Sequence, residues 1–374
     1  MSKINALLML EDGSFWKGRG FGSIRKVFGE VVFNTGMVGY TEAFTDPSYR
    51  GQILVTTYPL IGNYGVPEME KDEFGLPLNF ESESIQIAGL VVQEACSIPS
   101  HPHSKLSLHQ WLANHGVPAI EDVDTREITK RLRTRGVMMG ALVTSYDEIS
   151  EDQVYSELKK VERYDSKFFE PNLKEPVEYG KQGPLLAFID CGAKLSIIRN
   201  LLRQGFRVLR LPYNVDFEEL LSYKPKGLVI SNGPGNPKRY TKTIELIAQA
   251  REMKLPTLGI CLGNQLIALS YGGDTFKMKY GHRGQNKPCI NSLDNRVYIT
   301  SQNHGYAVDP SSIKNTSLKI WWVNADDSTI EGLIDQENKV ISVQFHPEAN
   351  PGPFDTLFVF ELYRKMVEKA DFHA

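Results

Sequence analysis

A cysteine set between two glycines marks the most reactive stretch of this sequence, Pro256-Thr-Leu-Gly-Ile-Cys261-Leu-Gly-Asn-Gln265. The residues before Cys261 read as a strand and those after it as a helix, so G-x-C-x-G falls at a strand-to-helix junction. A sharp turn there exposes the side chain at the carboxyl end of a strand, where open α/β sheets hold their sites. Gly259 and Gly263 remove the Cβ atoms that would collide across so tight a turn. The first N–H groups of the helix then face the sulfur, a setting that favours an anionic nucleophile. The inert alternative is a buried cysteine among small residues.

Such a nucleophile needs a base. Among the eight histidines, His346 heads His346-Pro347-Glu348, directly after the apolar run Val340–Phe345. Pro347 biases His346 toward extended backbone. If that extension continues, residues i and i+2 share a side. Glu348 could then orient an imidazole that serves Cys261, as a triad requires. On its own, His-x-Glu would be an ordinary surface pair.

Ser231-Asn232-Gly233-Pro234-Gly235-Asn236 follows another apolar strand. It has neither Gly-Lys-Ser/Thr nor G-x-G-x-x-G, so it is no phosphate cradle. The N–H of Gly233, with that of Leu262, is a candidate oxyanion donor; one such donor is worth roughly 2.7–4 kcal/mol in acyl transfer. The alternative is a plain β-turn.

The elements that must hold these residues are regular. Strands over Leu185–Asp190, Phe206–Pro212, Gly227–Ser231 and Thr257–Ile260 alternate with helices over Lys194–Arg203, Phe217–Ser222, Thr241–Met253 and Leu262–Tyr271. That alternation predicts βαβ crossovers and an α/β fold with an open, mostly parallel sheet flanked by helices. Arg296–Thr300, Leu318–Val323 and Val340–Gln344 add strands with some antiparallel pairing, and a last helix covers Phe354–Lys369. Trp321-Trp322 reads as strand core.

Upstream, Ala6–Leu10 and Ser14–Lys17 flank Asp12-Gly13 as a hairpin. Ser84–Gln93 alternates like a strand. Asp124 and Glu127 make a capping pair for a helix running to Thr134, stopped by Gly136. Gly18, Gly20 and Gly22 read as a loop. His101, His103 and His109 lack the cysteine or carboxylate that would complete a metal set. Pro and Gly crowd Arg163–Pro184, which reads as a linker. The expected division is residues 1–165, a smaller mixed α+β domain, then a linker at 166–184 and an α/β domain over 185–374.

Composition excludes several classes. The chain has 374 residues, with 42 Lys+Arg against 45 Asp+Glu and a net charge of −3. That balance is not the basic excess of a nucleic-acid binder. No apolar run approaches the roughly 18 residues of a membrane span. Glu11-Asp12-Gly13 cuts off the apolar N-terminal run, with no cleavage site after it. Cys96, Cys191, Cys261 and Cys289 form no C-x-x-C pair. These features point to a soluble, cytoplasmic protein.

Gly-Ile-Cys261-Leu-Gly with, further on, His346-Pro-Glu348 resembles the class I (triad) glutamine amidotransferases. Phe33-Asn-Thr-Gly-Met-Val-Gly-Tyr-Thr-Glu-Ala-Phe-Thr-Asp-Pro-Ser48-Tyr resembles the small (glutaminase) subunits of carbamoyl phosphate synthetases. So do Asp122-Val-Asp-Thr-Arg126, Lys277-Met-Lys-Tyr-Gly-His-Arg-Gly284, Ser301-Gln-Asn-His-Gly-Tyr306 and His346-Pro-Glu-Ala-Asn-Pro-Gly352. The resemblance covers nearly the whole chain.

It implies that Cys261 attacks the side-chain amide of L-glutamine, with His346 as base and then acid and Glu348 orienting it. Gly233 and Leu262 would supply oxyanion N–H groups. Glutamine contacts would fall to Ser48, Gly233, Gly235, Leu262, Gln265, Asn303, Gly305 and Tyr306. Ammonia would pass to a large subunit carrying ATP and magnesium, which makes carbamoyl phosphate for arginine and pyrimidine synthesis; no cofactor is expected in this chain. Asn264 stands where relatives often carry His, Asn236 where Asp is frequent, and Tyr306 where Phe is common. A glutaminase feeding another synthetase, a silent structural subunit and a free-standing hydrolase are the competing readings.

Overall fold

The computed structural model describes residues 4–368. Contacts divide them into two units. One holds the residues up to Asp72 together with Pro77–Phe169; the other holds Glu73–Leu76 and the chain from Glu170 onward.

In the first unit seven strands close a barrel, in the order Asn5–Leu10, Met138–Ser145, Lys26–Asn34, Gln52–Thr56, Gly89–Val91, Pro118–Glu121 and Phe15–Gly22. Leu8, Val32, Leu54, Leu90, Ile120 and Leu142 are fully buried in it. The Asp12-Gly13 hairpin forms, joining the first strand to Phe15–Gly22.

Two expectations are corrected here. Gly18, Gly20 and Gly22 lie within the strand Phe15–Gly22 and not in a loop. A Cβ on Gly18 would stand 2.2 Å from the Glu121 carbonyl, and one on Gly20 2.4 Å from Ile4. Backbone approaches that close, as a small barrel tightens, admit only glycine. Of Ser84–Gln93, only Gly89–Val91 is a strand. The Gln86 N–H donates to the Phe44 carbonyl of a helix, and its side chain to Ser82 Oγ. Those bonds draw the segment out of any ladder.

Asp124 caps the helix Thr125–Arg135 by accepting the Glu127 N–H at 2.8 Å, and Gly136 ends it at φ 101°. Glu127 turns its own carboxylate to Trp16 Nε1 at 2.9 Å, so the cap is one-sided.

The second unit is a ten-stranded sheet. Its parallel centre runs Arg207–Pro212, Leu185–Asp190, Gly227–Ile230, Thr257–Ile260 and Val340–Val343. Antiparallel strands Ile330–Asp335, Lys319–Asn324, Thr275–Asn291 and Arg296–Val308 extend one side. On the other side Val177–Tyr179, within the Pro- and Gly-rich stretch, adds an antiparallel edge strand.

Alternation along the central strands feeds two apolar layers. Leu186 and Phe188 face the helices Leu195–Arg203 and Phe358–Glu368, while Ala187 and Ile189 face Thr241–Glu252 and Leu262–Ser270. Trp321 and Trp322 are buried in the first layer. The last helix begins at Phe358, four residues later than expected, and Lys369 lies outside the described residues. No helix among the described residues is long and apolar enough to cross a membrane.

Candidate active site

Thr257–Ile260 and Val340–Val343 pair in parallel, with Ile260 beside Val343. Two parallel strands that end together deliver the next residues of both chain segments to one edge. Cys261 therefore emerges next to Gln344, Phe345 and His346, and its N–H donates to the Val343 carbonyl at 2.8 Å.

Cys261 caps the helix Leu262–Ser270 with φ 55° and ψ −101°. A side chain at such a positive φ costs on the order of 1–3 kcal/mol and persists only where its surroundings hold it. The glycines do so. A Cβ on Gly263 would lie 2.3 Å from the Ile230 carbonyl, and one on Gly259 2.5 Å from Ile267. Leu262 begins the helix, so its N–H is among those with no intrahelical carbonyl. The other buried cysteines, Cys191 and Cys289, have thiols pushed up by burial and make poor nucleophiles.

His346, Glu348 and Lys194 form a buried chain beside the sulfur. His346 Nδ1 lies 2.6 Å from Glu348 Oε1, and Lys194 Nζ is 2.9 Å from the same oxygen. Burial alone would pull the imidazole down, but Glu348 and Cys261 outweigh it and raise His346 to about 10. Burial would raise Glu348, yet Lys194 and His346 hold it at about 2. His346 Nε2 is buried with no hydrogen-bond partner among the described residues.

The expected extension from His346 to Glu348 is corrected. Pro347 and Glu348 form a turn, closed by the Ala349 N–H on the His346 carbonyl at 3.2 Å. The turn brings the carboxylate back to the ring.

The remaining expected residues divide between the units. The Gly233–Gly235 loop comes after Gly227–Ile230, one strand over from the cysteine. Gly233 packs so tightly on the Cys191 carbonyl that a Cβ would lie 2.1 Å from it. Tyr240 Oη donates to the carbonyls of Cys191 and Pro234, and Lys194 N–H to Asn232 Oδ1, fixing the loop. Asn303, Gly305 and Tyr306 share the strand Arg296–Val308. The Cys261 thiol donates to the Asn303 carbonyl at 3.7 Å, and Gln265 Nε2 to the Tyr306 carbonyl at 2.9 Å. Asn236 accepts from Lys238 N–H at the start of a short 3-10 turn. Ser48 belongs to the barrel unit, where its N–H donates to Asp46.

Sequence reasoning missed Lys194 and Gln344. Lys194 comes just after the strand Leu185–Asp190, a carboxyl-end position that the strand pattern could have flagged. Gln344 stands two residues before His346, and its Nε2 reaches Cys261 Sγ at 3.7 Å.

His282, His304 and Glu331 bring possible metal-ligand atoms within 4.8 Å of one another. Hydrogen bonds already occupy them, His304 through the Tyr306 carbonyl at 2.8 Å and Gln302 at 3.3 Å. His282 lies between Glu331 at 3.3 Å and Asp327 at 2.9 Å, and Asn324 donates to Glu331 at 3.1 Å. Burial and the His282 charge keep His304 well below the usual imidazole range. An amide donor aimed at the carboxylate suits a hydrogen-bonded cluster better than a cation.

Comparison with known proteins matches both halves of the chain. The family model for the carbamoyl-phosphate synthase small chain, CPSase domain, matches residues 8–142, and that for glutamine amidotransferase class-I matches 187–366. The carbamoyl phosphate synthase small chain of Sulfurisphaera tokodaii is 47% identical over 97% of this chain and 96% of its own. That of Methanopyrus kandleri is 44% identical over 97% and 99%. The multifunctional protein CAD of Squalus acanthias is 46% identical over 96% of this chain but only 16% of its own length. With both domains matched and the likeness running end to end, the chain belongs to the carbamoyl phosphate synthase small chains and carries their class-I glutamine amidotransferase domain.

Proposed function

We infer that this chain hydrolyses the side-chain amide of L-glutamine through a thioester on Cys261 and hands the ammonia to a large, ATP-using synthase subunit. The observation that carries this reading is the strained Cys261 turn beside His346, whose Nδ1 is held by Glu348 and whose buried Nε2 has no hydrogen-bond partner among the described residues.

Those positions support the following steps. Nε2 takes the thiol proton, and Glu348, itself fixed by Lys194, stabilises the imidazolium. Sulfur bonds to the amide carbon, and the oxygen becomes an oxyanion facing the N–H groups of Gly233 and Leu262. The C–N bond breaks as His346 returns the proton to nitrogen, and ammonia leaves. Water, deprotonated by the same ring, cleaves the thioester to glutamate and restores the thiol. Gly235, Gln265, Asn303, Gly305 and Tyr306 are the proposed glutamine contacts. A glutaminase alone would dissipate glutamine, which is why the reading includes a partner.

The test mixes this chain with the large subunit from the same source, ATP and bicarbonate, and supplies glutamine or ammonia. Cys261→Ser should lower glutamine-dependent carbamoyl phosphate formation by about 10⁴-fold or more while ammonia still serves. If the unmodified chain supports only ammonia, it is a silent subunit and the reading falls.

A further inference from the structure

Beneath Cys261 lies a fully buried set of amides that the triad chemistry does not use. Asn264, Gln344 and Ser342 are inaccessible to solvent and Gln265 nearly so. Side-chain amides can be turned either way in principle, and their polarity must come from a group that cannot turn. Here that group is the backbone carbonyl of Tyr306, which can only accept.

Gln265 Nε2 lies 2.9 Å from that carbonyl and 3.1 Å from the Gln344 amide. Its nitrogen must face Tyr306, so its second hydrogen meets Gln344, and Gln344 must present oxygen. Asn264 Nδ2 donates to the same oxygen at 3.3 Å. The opposite end of Asn264 accepts the Ser342 hydroxyl at 2.8 Å, a shorter bond than the alternative at 3.5 Å to the Leu333 carbonyl. Both lone pairs of Gln344 Oε1 are thus taken by two donors. Its Nε2 carries the two donors of the amide, and one of them reaches Cys261 Sγ at 3.7 Å. The backbone of Gln344 is anchored as well, its N–H donating to the Glu331 carbonyl at 2.8 Å.

The sulfur therefore has a partner for each of its forms. As a thiol it donates to the Asn303 carbonyl. As a thiolate it would be repelled by that carbonyl and needs a donor in its place. We propose that Gln344 is a catalytic residue, its amide N–H donating to the Cys261 thiolate, with its orientation fixed by the relay from Tyr306 through Gln265 and from Ser342 through Asn264. The same relay gives Asn264 a task for which its amide is suited, since it must accept from a hydroxyl and donate to an amide oxygen at once. The role rests on the reading of Cys261 as the nucleophile.

Two substitutions in the full chain test it. Gln344→Glu keeps an oxygen for Asn264 and Gln265 but turns an acceptor toward the sulfur, and Gln344→Met removes donor and acceptor without adding charge. Hydrogen bonds to charged groups predict that iodoacetamide alkylation of Cys261 at neutral pH slows by about tenfold in either variant. With the large subunit, glutamine-dependent kcat should fall by a similar factor with KM unchanged. A role confined to holding Gln265 would instead raise KM and leave both kcat and the alkylation rate at the parent value, and that result overturns the proposal. If the Glu variant does not fold, the Met variant decides alone. Alkylation reads the donor at the sulfur whatever Cys261 does to glutamine, so its outcome is separate from that of Cys261→Ser.

Discussion

The two units bury polar residues for opposite ends. In the barrel, polar side chains tie neighbouring strands and loops to one another. Gln52 donates to Glu30, Ser82 to the Thr45 carbonyl, and Gln86 to Ser82. In the sheet unit they gather where strands stop. Asp190 and Lys194 lie at the end of one central strand, Ser231 to Gly235 at a second, Cys261 at a third, and Gln344 to Glu348 at a fourth. Closing a barrel uses up the lateral edges of its sheet, whereas the parallel strands of the open sheet all end on one side and leave it to be furnished by loops. Reactive groups from distant parts of the sequence meet on that side.

The contrast is broken most severely at Lys194. Lys194→Met removes one of the two partners of the buried Glu348 carboxylate, side-chain exposure 6% and 0%, and leaves only His346 beside it. Unfolding in urea should show a loss of about 3–5 kcal/mol; a change near zero would mean that the pair contributes nothing.

The same cluster sets a pH dependence. His346 is raised from 6.5 to about 10, so its stabilisation is complete below the unfolded value and is lost as pH climbs through 10. Glu348 is lowered from 4.5 to about 2, so its share is present above 4.5 and lost as pH falls through 2. Thermal midpoints should therefore decline from pH 6.5 toward 10, and Glu348→Gln should flatten that decline.

On the barrel side, Gly18→Ala forces a Cβ to 2.2 Å from the Glu121 carbonyl. Overpacking of this kind should cost about 1–3 kcal/mol in the same urea assay. Asp124→Ala, which deletes only a helix cap, should cost about 1 kcal/mol. If the cap proved costlier than the glycine, the barrel would be looser than its contacts indicate.

The α/β alternation after Pro184 was legible because buried parallel strands and amphipathic helices write strong, short periods. Cys261 was legible because a tight turn demands glycines at fixed offsets, and His346 because it comes directly after the neighbouring apolar strand. Thr275–Asn291 was not, since it carries lysines, glycines and two irregularities, and owes its extension to the strand it pairs with. Gly18 to Gly22 misled for the same reason: only the closed barrel shows what a side chain there would strike.

Sequence alone thus determined the reactive residue types and the central parallel strands, both consequences of local chain geometry. Tertiary structure decided the partners. Lys194 meets Glu348 across 154 positions, and Gln344 meets Cys261 across 83. Local periodicity holds no record of such pairs, because the register of two parallel strands is set by packing of the whole sheet.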